Sequence, residues 1–565
     1  MSSSPMPSTV VLATGAGKII EALLRYGITA GFGIPSIHNI ALYDALRQEP
    51  DFRHWIVRHE QAAGFAADAF FRASGRPAAV FASTGPGNLF TLVPLLESFQ
   101  SNTPVLLIGT NVATPVLGKP CNALHETPDQ LEILRPLTRF AARANTAEEI
   151  PAIMAEAAAV LTGSAPGPVF IEIPHDLLLA PVTSELPSLK KKAPIKASED
   201  SIQEAVRQIE MRQRPVVLVG SGVTAEAARS VQRLAEMLHA PILTTTGSKG
   251  IIADDHPLSM GCISRLGVVR QLLQEADLLI SFSARLIEFD TGRFSLQVPK
   301  AHLAVVEDPA YFSSIYPAEV KVAGEPGAIA AELTRRLKPR QIWWNADVAW
   351  AEERQQIESL RADGYAAVLL LRETLARTDV VVNDQSILNY WASAFFPVLE
   401  PGTFLYPWGS GTLGYGLPAA IGAACALRQK GDARKVLCIA GDGGFQYTAH
   451  ELATLAQYNL PVKVLLVNDN KYGVIGFLQR SVFGQEYEVD LKNPDFCRLA
   501  EAYGVCAERV SDLQGLKEKL QSWLELPGPG LLEWHTKLLA PWEAGAIQRP
   551  ATPPATKPAE PSREP

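Results

Sequence analysis

A chain of 565 residues is too long for a single hydrophobic core, and its length predicts about three domains. The formal net charge of −8 at pH 7 disfavours a nucleic acid or an anionic membrane as the partner, because neither is attracted to a net acidic surface. No apolar run approaches the roughly 18 residues of a membrane span, so the composition indicates a soluble globular protein.

Cysteine usage favours the cytoplasm. The six cysteines are scattered without a CxxC pair, and several lie in Ala- or Ile-rich runs, so we expect buried, reduced thiols. The N-terminal stretch "MSSSPMPSTVVLATGAG" lacks both a basic region and a long apolar segment, and it therefore does not resemble a signal peptide.

Short apolar runs alternate with helical patterns along the chain, which predicts an α/β fold of three doubly wound, parallel-sheet domains. The first block, with strands such as "AAVFAST" and "GPVFIEIP", spans 1–185 and leads into a polar, Pro-containing linker. A second block spans 195–340 and a third spans 360–545. The Pro-rich end, 546–565, is expected to be a disordered tail.

Two similar segments hint at an internal duplication. "PGPVFIEI" (166–173) and "PGPGLLEW" (527–534) each follow an amphipathic helix and end the first and third blocks. The match suggests that these two blocks share a fold.

In the first block, "WIVRHEQAAGFAADAFF" places Glu60 at a strand-to-helix junction, followed by a helix rich in Ala and Phe. By itself this pattern is more typical of a helix-capping residue. An apolar setting nevertheless raises a carboxyl pKa and lets the group share a proton at neutral pH.

In the second block, "GSGVTA" follows the strand "VVLV" and matches G-x-G-x-x-A. This is a degenerate form of the dinucleotide-binding fingerprint.

In the third block, the strand "KVLCIA" leads directly into Gly441, Asp442, Gly443 and Gly444, which predict a tight turn with exposed N–H groups. Thr448 and Glu451 then form a T-x-x-E capping box for a helix over 449–458. A strand, a glycine turn and a capped helix make a phosphate pocket.

Asp442 would repel a phosphate unless a hard divalent cation lies between them. The next strand, "VKVLLV", delivers Asn468, Asp469 and Asn470 to the same sheet edge, where ligands bind in open α/β folds. The spacing therefore predicts two acidic side chains at one Mg²⁺ site.

With this second cluster the pattern resembles the thiamine diphosphate signature, in which GDG is followed after one helix and one strand by a paired-amide motif. Nearly the whole chain, to about residue 545, is similar to the acetolactate synthase and 2-oxo acid decarboxylase branch of that family. The resemblance implies an N-terminal pyrimidine-binding domain, a central Rossmann-like domain and a C-terminal diphosphate-binding domain.

Carried over residue by residue, the resemblance makes Asp442, Asp469 and the carbonyl of Lys471 the metal ligands. The chain departs from the family by having Asp469 where many members have Asn, although a carboxylate is an equally competent hard ligand. Glu60 corresponds to the glutamate that protonates the aminopyrimidine, and "STGPGN" (83–88), with Asn88, to a loop against the same ring.

"WGSGTLGYGLPAA" (408–420) resembles the segment that bends the cofactor into a V. It implies Leu413 beneath the cofactor and the carbonyl of Gly411 facing its 4′-amino group. The remaining implied cofactor contacts are Gly441, Asp442, Gly443, Gly444 and Tyr472.

The implied reaction is decarboxylation of a 2-oxo acid through an enamine, which is then protonated to an aldehyde or adds to a second carbonyl. Ile37 and Ile475 stand where pyruvate decarboxylases carry an aspartate and a glutamate, so simple pyruvate decarboxylase chemistry is not expected.

By the same alignment His125 and His38 are candidate catalytic residues. "LHETPDQ" and "GIPSIHN" resemble the guanidino-oxopentanoate decarboxylase type. An apolar set predicts a pocket for an apolar or extended side chain: Ile37, Val474, Ile475, Phe477 and Leu478.

Other functions stay open. The chain resembles a dedicated acetolactate synthase-type carboligase as well; a flavin oxidase and a non-catalytic protein that kept the fold are further alternatives. FAD is possible in the central domain but is not favoured, because "SARLIEFDTGRF" keeps only part of a flavin-contacting segment. The resemblance also implies a homodimer or homotetramer with sites at subunit interfaces.

Overall fold

The computed structural model describes residues 14–163, 166–189, 195–265, 267–307 and 315–547. Within these ranges the chain forms three sheets of six strands, each flanked by helices, and every strand pairing inside them is parallel. The predicted α/β class with three parallel sheets is confirmed. Nearly all of the predicted disordered tail lies beyond Ile547, outside the described residues.

The first sheet has the strand order β2-β1-β3-β4-β6-β5. Its strands are β1 (Ala30–Gly33), β2 (Arg53–Ile56), β3 (Ala78–Ala82), β4 (Val105–Asn111), β5 (Phe140–Arg143) and β6 (Val169–Pro174). Its helices are α1 (Gly15–Arg25), α2 (Ile40–Arg47), α3 (Glu60–Ser74), α4 (Pro86–Leu89), α5 (Leu92–Ser101), α6 (Gln130–Leu134) and α7 (Ile150–Leu161).

The second sheet has the order β12-β11-β10-β7-β8-β9. Its strands are β7 (Pro215–Val219), β8 (Ile242–Thr244), β9 (Ser259–Cys262), β10 (Leu278–Phe282), β11 (His302–Val306) and β12 (Val320–Ala323). The helices are α8 (Glu199–Glu210), α9 (Ala225–Leu238), α10 (Gly267–Glu275) and α11 (Pro326–Arg336), and α12 (Ala346–Ser359) follows. Read along the sheet, this is the order of a Rossmann fold.

The third sheet has the order β14-β13-β15-β16-β18-β17. Its strands are β13 (Val380–Asn383), β14 (Phe404–Leu405), β15 (Val436–Gly441), β16 (Val462–Asn468), β17 (Cys506–Val510) and β18 (Gly530–His535). Its helices are α13 (Asp363–Thr374), α14 (Ile387–Phe395), α15 (Gly416–Lys430), α16 (Asp442–Phe445), α17 (Leu452–Tyr458), α18 (Gly473–Phe483), α19 (Phe496–Ala502) and α20 (Leu513–Leu524).

The first and third sheets have the same topology. If the strands of each sheet are counted from its own first strand, both run 2-1-3-4-6-5. The two similar segments noted in the sequence end in β6 and β18, which are the sixth strands of the two sheets. The predicted relationship between these two blocks is therefore confirmed.

Helices α3 and α15 join the first and third sheets. Both are rich in alanine, and their small side chains allow a close crossing. At Gly422 the two backbones are so close that an added Cβ atom would overlap the carbonyl oxygen of Ala66. One hydrophobic core consequently extends from Phe70 and Val80 of the first domain to Cys438 and Val464 of the third.

Two local predictions are wrong. Thr448 and Glu451 form no capping box, because Thr448 donates its hydroxyl to the carbonyl of Gly414 and Glu451 accepts the backbone N–H of Arg58. Residues 449–451 form a 3₁₀ turn, and α17 begins only at Leu452. Residues 441–444 were predicted to form a tight glycine turn, whereas the one-turn helix α16 begins at Asp442 directly after β15.

The cysteines divide between core and surface. Cys262, Cys425 and Cys438 are buried as predicted, whereas Cys121 lies in an exposed loop and Cys506 begins the edge strand β17. The prediction of burial is wrong for these two exposed thiols.

None of the helices in the described ranges combines the length and apolarity that a membrane crossing needs.

The close crossing of α3 and α15 can be tested by Gly422→Ala. The added methyl group would overlap the backbone of α3, so we expect the free energy of unfolding to fall by about 1–3 kcal/mol. Urea denaturation of the full chain measures this change.

Gly267→Ala is the matched control, because an added Cβ atom there lies no closer than 3.6 Å to a neighbouring side chain. It should leave stability unchanged or raise it by up to about 1 kcal/mol through helix propensity. Equal urea midpoints for the two variants would contradict the close crossing.

Candidate active site

Glu60 is the first residue of α3 and lies at the carboxyl edge of the first sheet. The imidazole of His59 caps this helix by accepting the N–H of Gln61 at 3.1 Å. The Glu60 carboxylate is half-buried against loop 83–88, where an added Cβ atom on Gly87 would be 3.3 Å from its Oε1. The structure therefore brings together Glu60 and the loop that sequence reasoning paired with it.

The backbone of loop 83–88 is fixed by neighbouring strand ends. Gly85 has a φ of +63° and donates its N–H to Gln130 Oε1 at 2.7 Å. Asn88 is fully buried, and its amide donates to the carbonyl of Thr110 at 3.0 Å. Its side chain is directed into the fold, against Gly109, so its predicted contact with a cofactor stays a prediction.

Three histidines meet at the same edge. The ring of His38 is 5.3 Å from that of His125, and it stacks on His175 at 4.8 Å with an angle of 3° between the planes. Burial, together with the neighbouring His175 and His125, lowers the pKa of His38. Sequence reasoning selected His38 and His125 but missed His175, although it is the first residue after β6 and so lies at the functional edge.

Asp442 and Asp469 lie close together at the carboxyl edge of the third sheet. Gly441, at the end of β15, pairs with Val467, near the end of β16. The residues that follow these two strands therefore leave the sheet side by side. Burial raises the pKa of Asp442, and burial together with the charge of Asp442 raises the pKa of Asp469 to about 6. Nearby backbone N–H groups, that of Lys471 among them, lower the pKa of both carboxyl groups and partly offset these increases.

Asn493 is a residue of this site that sequence reasoning missed. Its amide nitrogen donates to Asp442 Oδ2 at 2.6 Å and lies 3.2 Å from the side-chain oxygens of both Asn468 and Asn470. Asn493 follows Asp442 by 51 residues and lies in the stretch "LKNPDF", in the connection between β16 and β17. No spacing rule links it to the glycine turn. The contact arises because the chain returns over the site after α18.

Tyr472 and Gly443 pack directly on each other. The tyrosine ring lies where a Cβ atom on Gly443 would be, so only glycine fits at that position. The structure thus places Tyr472 beside the Asp442-bearing segment, and its predicted contact with a cofactor stays a prediction.

A cavity of about 390 Å³ opens beside residues 406–415. Gly411, with a φ of +65°, lines it together with Val474, Phe477 and Leu478. Leu413 is half-buried in the same segment.

Two predicted pocket residues lie elsewhere. Ile37 and Ile475 are 64% and 50% exposed, and neither lines this cavity within the single chain.

The two functional edges adjoin within one chain. The backbone N–H of Arg58 donates to Glu451 Oε1 at 2.8 Å, and the rings of His59 and His450 are 5.9 Å apart. In the first domain these contacts come from the two residues before Glu60. In the third domain they come from two residues that follow α16.

The G-x-G-x-x-A segment follows β7 and leads into α9, with Thr224 as the N-cap. It borders a cavity of about 1300 Å³ that Gly222, Arg285 and Glu307 help to line. Burial raises the pKa of Glu307 to about 8. The prediction that FAD is possible here but not favoured stays a prediction.

The residues at the third sheet fit the group that the resemblance implies. Among the described residues, no Lys or Arg side chain forms a salt bridge to Asp442 or Asp469, and two adjacent carboxylates suit a divalent cation. In the neighbouring cavity Gln385 Oε1 is buried without a hydrogen-bond partner. Such an unpaired acceptor suits a polar ligand.

Three profiles of one protein family match the chain. Residues 13–133 match "Thiamine pyrophosphate enzyme, N-terminal TPP binding domain", and residues 202–333 match the central domain of the same family. Residues 384–534 match its C-terminal TPP binding domain.

Curated proteins of similar length are related to the chain. A probable 2-ketoarginine decarboxylase of Pseudomonas aeruginosa is 33% identical, covering 94% of this chain and 95% of its own. The large subunit of acetolactate synthase isozyme 1 of Escherichia coli is 31% identical, again covering 94% and 95%. A solved structure, the thiamine diphosphate-dependent 4-hydroxybenzoylformate decarboxylase of Rhodococcus jostii, aligns with a TM-score of 0.79 at 22% identity, over 93% of this chain and 100% of its own.

The repulsion between the two aspartates can be tested by Asp469→Asn. The raised pKa means that burial and Asp442 disfavour the charged form at pH 7, so removing the charge should stabilise the metal-free protein by about 1–2 kcal/mol. Urea denaturation at pH 7 in the presence of a chelator measures this change.

Asp490→Asn is the control, because the Asp490 side chain is 86% exposed and pairs only at the surface with Lys471. This change should leave the urea midpoint unaltered. A metal-free Asp469→Asn protein that is less stable than the wild type would show that the two aspartates do not repel each other.

Proposed function

The chain belongs to the family of thiamine pyrophosphate-dependent enzymes, and on that premise we propose that it decarboxylates a 2-oxo acid with thiamine diphosphate and Mg²⁺. The observation that carries this proposal is the pair Asp442 and Asp469, a buried and a half-buried carboxylate at adjacent strand ends. A 2-oxo acid cannot readily lose CO₂ without an electron sink, and bound thiamine diphosphate supplies one.

The chain's own residues would hold the cofactor at both ends. Asp442, Asp469 and the carbonyl of Lys471 would ligate Mg²⁺, and the backbone of 441–444 would face the diphosphate. Asn493 supports this assignment, since its amide holds Asp442 Oδ2 and so fixes the orientation of that carboxylate.

At the other end, Glu60 would hold a proton against the pyrimidine ring. Gly411 would present its carbonyl oxygen to the 4′-amino group, and Leu413 would support the bend of the cofactor. The absence of a direct partner for Glu60 among the hydrogen bonds of the described residues leaves its carboxylate available for this contact.

Proton transfer to the product is assigned to the histidines. Ile37 and Ile475 offer no acidic group, whereas His38 and His125 lie together at the edge that carries Glu60. The lowered pKa keeps His38 neutral at pH 7, so it can accept or pass on a proton.

The cavity favours a substrate larger than pyruvate. Val474, Phe477 and Leu478 supply apolar walls, Tyr390 adds an aromatic ring, and Glu288 and Arg293 add one charge of each sign. Apolar walls with polar groups among them suit a 2-oxo acid whose side chain is longer than that of pyruvate and carries a polar end. The name of the relative from Pseudomonas aeruginosa includes such a substrate, 2-ketoarginine, which therefore belongs among the first compounds to assay.

Carboligation is a second candidate function. The acetolactate synthase relative favours it, as does the lack of acidic protonating residues at Ile37 and Ile475. Incubation with a single 2-oxo acid separates the two, because an aldehyde accumulates in one case and an acyloin in the other.

We propose further that two copies share each site in a cytoplasmic homodimer or homotetramer. Large apolar side chains remain exposed at the functional edges, among them Phe90 and Leu124 of the first domain and Ile475 of the third. Exposed apolar side chains concentrated at one surface are typical of a protein interface.

Glu60→Gln tests the proposed function. With Mg²⁺ and thiamine diphosphate, the wild type should release CO₂ from at least one member of a panel containing pyruvate, a branched-chain, an aromatic and a guanidino 2-oxo acid. The glutamine variant should lose at least about 100-fold in rate, because it cannot hold the proton, while still binding the cofactor. Coupled CO₂ detection and calorimetric titration measure the two quantities.

Glu156→Gln is the matched control, since Glu156 is an exposed residue of α7 in the same domain. It should retain the wild-type rate. Full activity of Glu60→Gln on the best substrate would overturn the assignment.

Subunit sharing is tested by mixing Glu60→Gln and Asp442→Ala proteins after dissociation and reassembly. Each variant alone should be inactive, but a mixed dimer has one site with both wild-type residues, so random pairing should restore about a quarter of wild-type activity. Activity assays and sedimentation of the mixture measure this. No recovery in a mixture that has demonstrably exchanged subunits would place each site within one chain.

A further inference from the structure

A cluster of buried charges lies between the first and third sheets. Asp68 and Arg72 belong to α3, Glu97 belongs to α5, and both carboxylates are fully buried. The guanidinium of Arg72 is 2.6 Å from Asp68 Oδ1 and donates to Glu97 Oε1 at 2.8 Å. Buried charges are tolerated only where donors and acceptors surround them, so the partners of this cluster fix its place in the fold.

Glu97 directs its carboxylate at residues 406–415, which we term the cofactor loop. Oε2 accepts both the backbone N–H and the hydroxyl of Ser410 at 2.7 Å, and Oε1 accepts the N–H of Gly409 at 3.2 Å. Within the described ranges, three of the four groups that donate to the Glu97 carboxylate therefore belong to the cofactor loop, and the fourth is Arg72.

The same cluster also holds both ends of the cofactor loop. Arg72 donates to the carbonyl of Tyr406 at 2.8 Å, and the hydroxyl of Tyr415 donates to Asp68 Oδ1 at 3.1 Å. The first domain thus contacts the loop at its beginning, middle and end, although the loop belongs to the third domain.

The third domain contributes its own carboxylate at the far end. Asp384 accepts the N–H groups of Gly414 and Gly416, each at 3.1 Å. The cofactor loop contains neither helix nor strand, and Gly411 at its centre is in the left-handed region. Its conformation is therefore set by Glu97 on one side of Gly411 and Asp384 on the other.

We propose that Glu97 is a positioning residue that fixes Gly409 and Ser410, and through them Gly411 and Leu413, for thiamine diphosphate; this rests on the proposed function. An acceptor-only carboxylate is needed there because every group that faces it is a donor. Hydrogen bonds to a charged acceptor are stronger than neutral ones, so they hold an otherwise irregular segment in one conformation.

Ser410→Ala and Ser98→Ala form a matched pair that tests this role. Each removes one serine hydroxyl that donates to a carboxylate of the cluster, Glu97 at 2.7 Å in one case and Asp68 at 2.9 Å in the other. Only Ser410 belongs to the cofactor loop. Calorimetric titration of the full-length chain with thiamine diphosphate at saturating Mg²⁺ measures the effect, and urea denaturation of the cofactor-free proteins measures stability separately.

We expect Ser410→Ala to bind thiamine diphosphate about fivefold to twentyfold more weakly than the wild type, while Ser98→Ala binds it as the wild type does. The urea midpoints of both variants should fall by similar amounts, because each loses one hydrogen bond to a fully buried carboxylate. Equal affinities in the two variants would overturn the positioning role. A wild-type chain that binds no thiamine diphosphate would instead overturn the proposed function, so the two failures are distinguishable.

Discussion

The close crossing of α3 and α15 is the constraint on which the arrangement of the functional residues depends. Helix α3 begins with Glu60, and α15 directly follows the segment that carries Gly411 and Leu413. Because the crossing leaves no room for a side chain at Gly422, the first and third sheets are held at one separation. Their shared hydrophobic core makes this a single packed unit rather than two domains in loose contact.

The repeated topology explains why functional residues occur in two groups. In each of the two sheets the carboxyl ends of neighbouring strands meet at one edge, which is where open parallel sheets place their ligands. The first edge gathers Glu60 and imidazoles, side chains that can exchange protons near neutral pH, whereas the third gathers carboxylates and amides, which suit a hard cation. The same topology thus carries a different set of side chains in each of the two sheets.

Sequence patterns were sufficient for the fold class and for the strands that lead to Asp442 and Asp469. These features are local, or they follow from the rule that parallel strands end at a common edge. The pairing of Glu60 with loop 83–88 instead came from the resemblance to thiamine diphosphate enzymes. The capping box failed because Thr448 and Glu451 use their side chains for tertiary contacts, which a local motif cannot reveal.

The residues that sequence reasoning missed also depend on tertiary contacts. His175, Asn493 and Glu97 acquire their roles from partners far away in the chain, and Glu97 lies in the middle of a helix with no motif around it. Ile37 and Ile475 are exposed in a single chain, and no spacing in the sequence predicts that exposure.

Helix α3 has a different task at each end. Glu60 opens it, and Arg72, close to its last residue, anchors the beginning of the cofactor loop in the same chain. If each site takes Glu60 from one subunit and the loop from the other, the two ends of this one rod, about 18 Å apart, serve two different sites. A shift of the helix at one site would then be transmitted mechanically to its neighbour, so that the two halves of the dimer would not turn over independently.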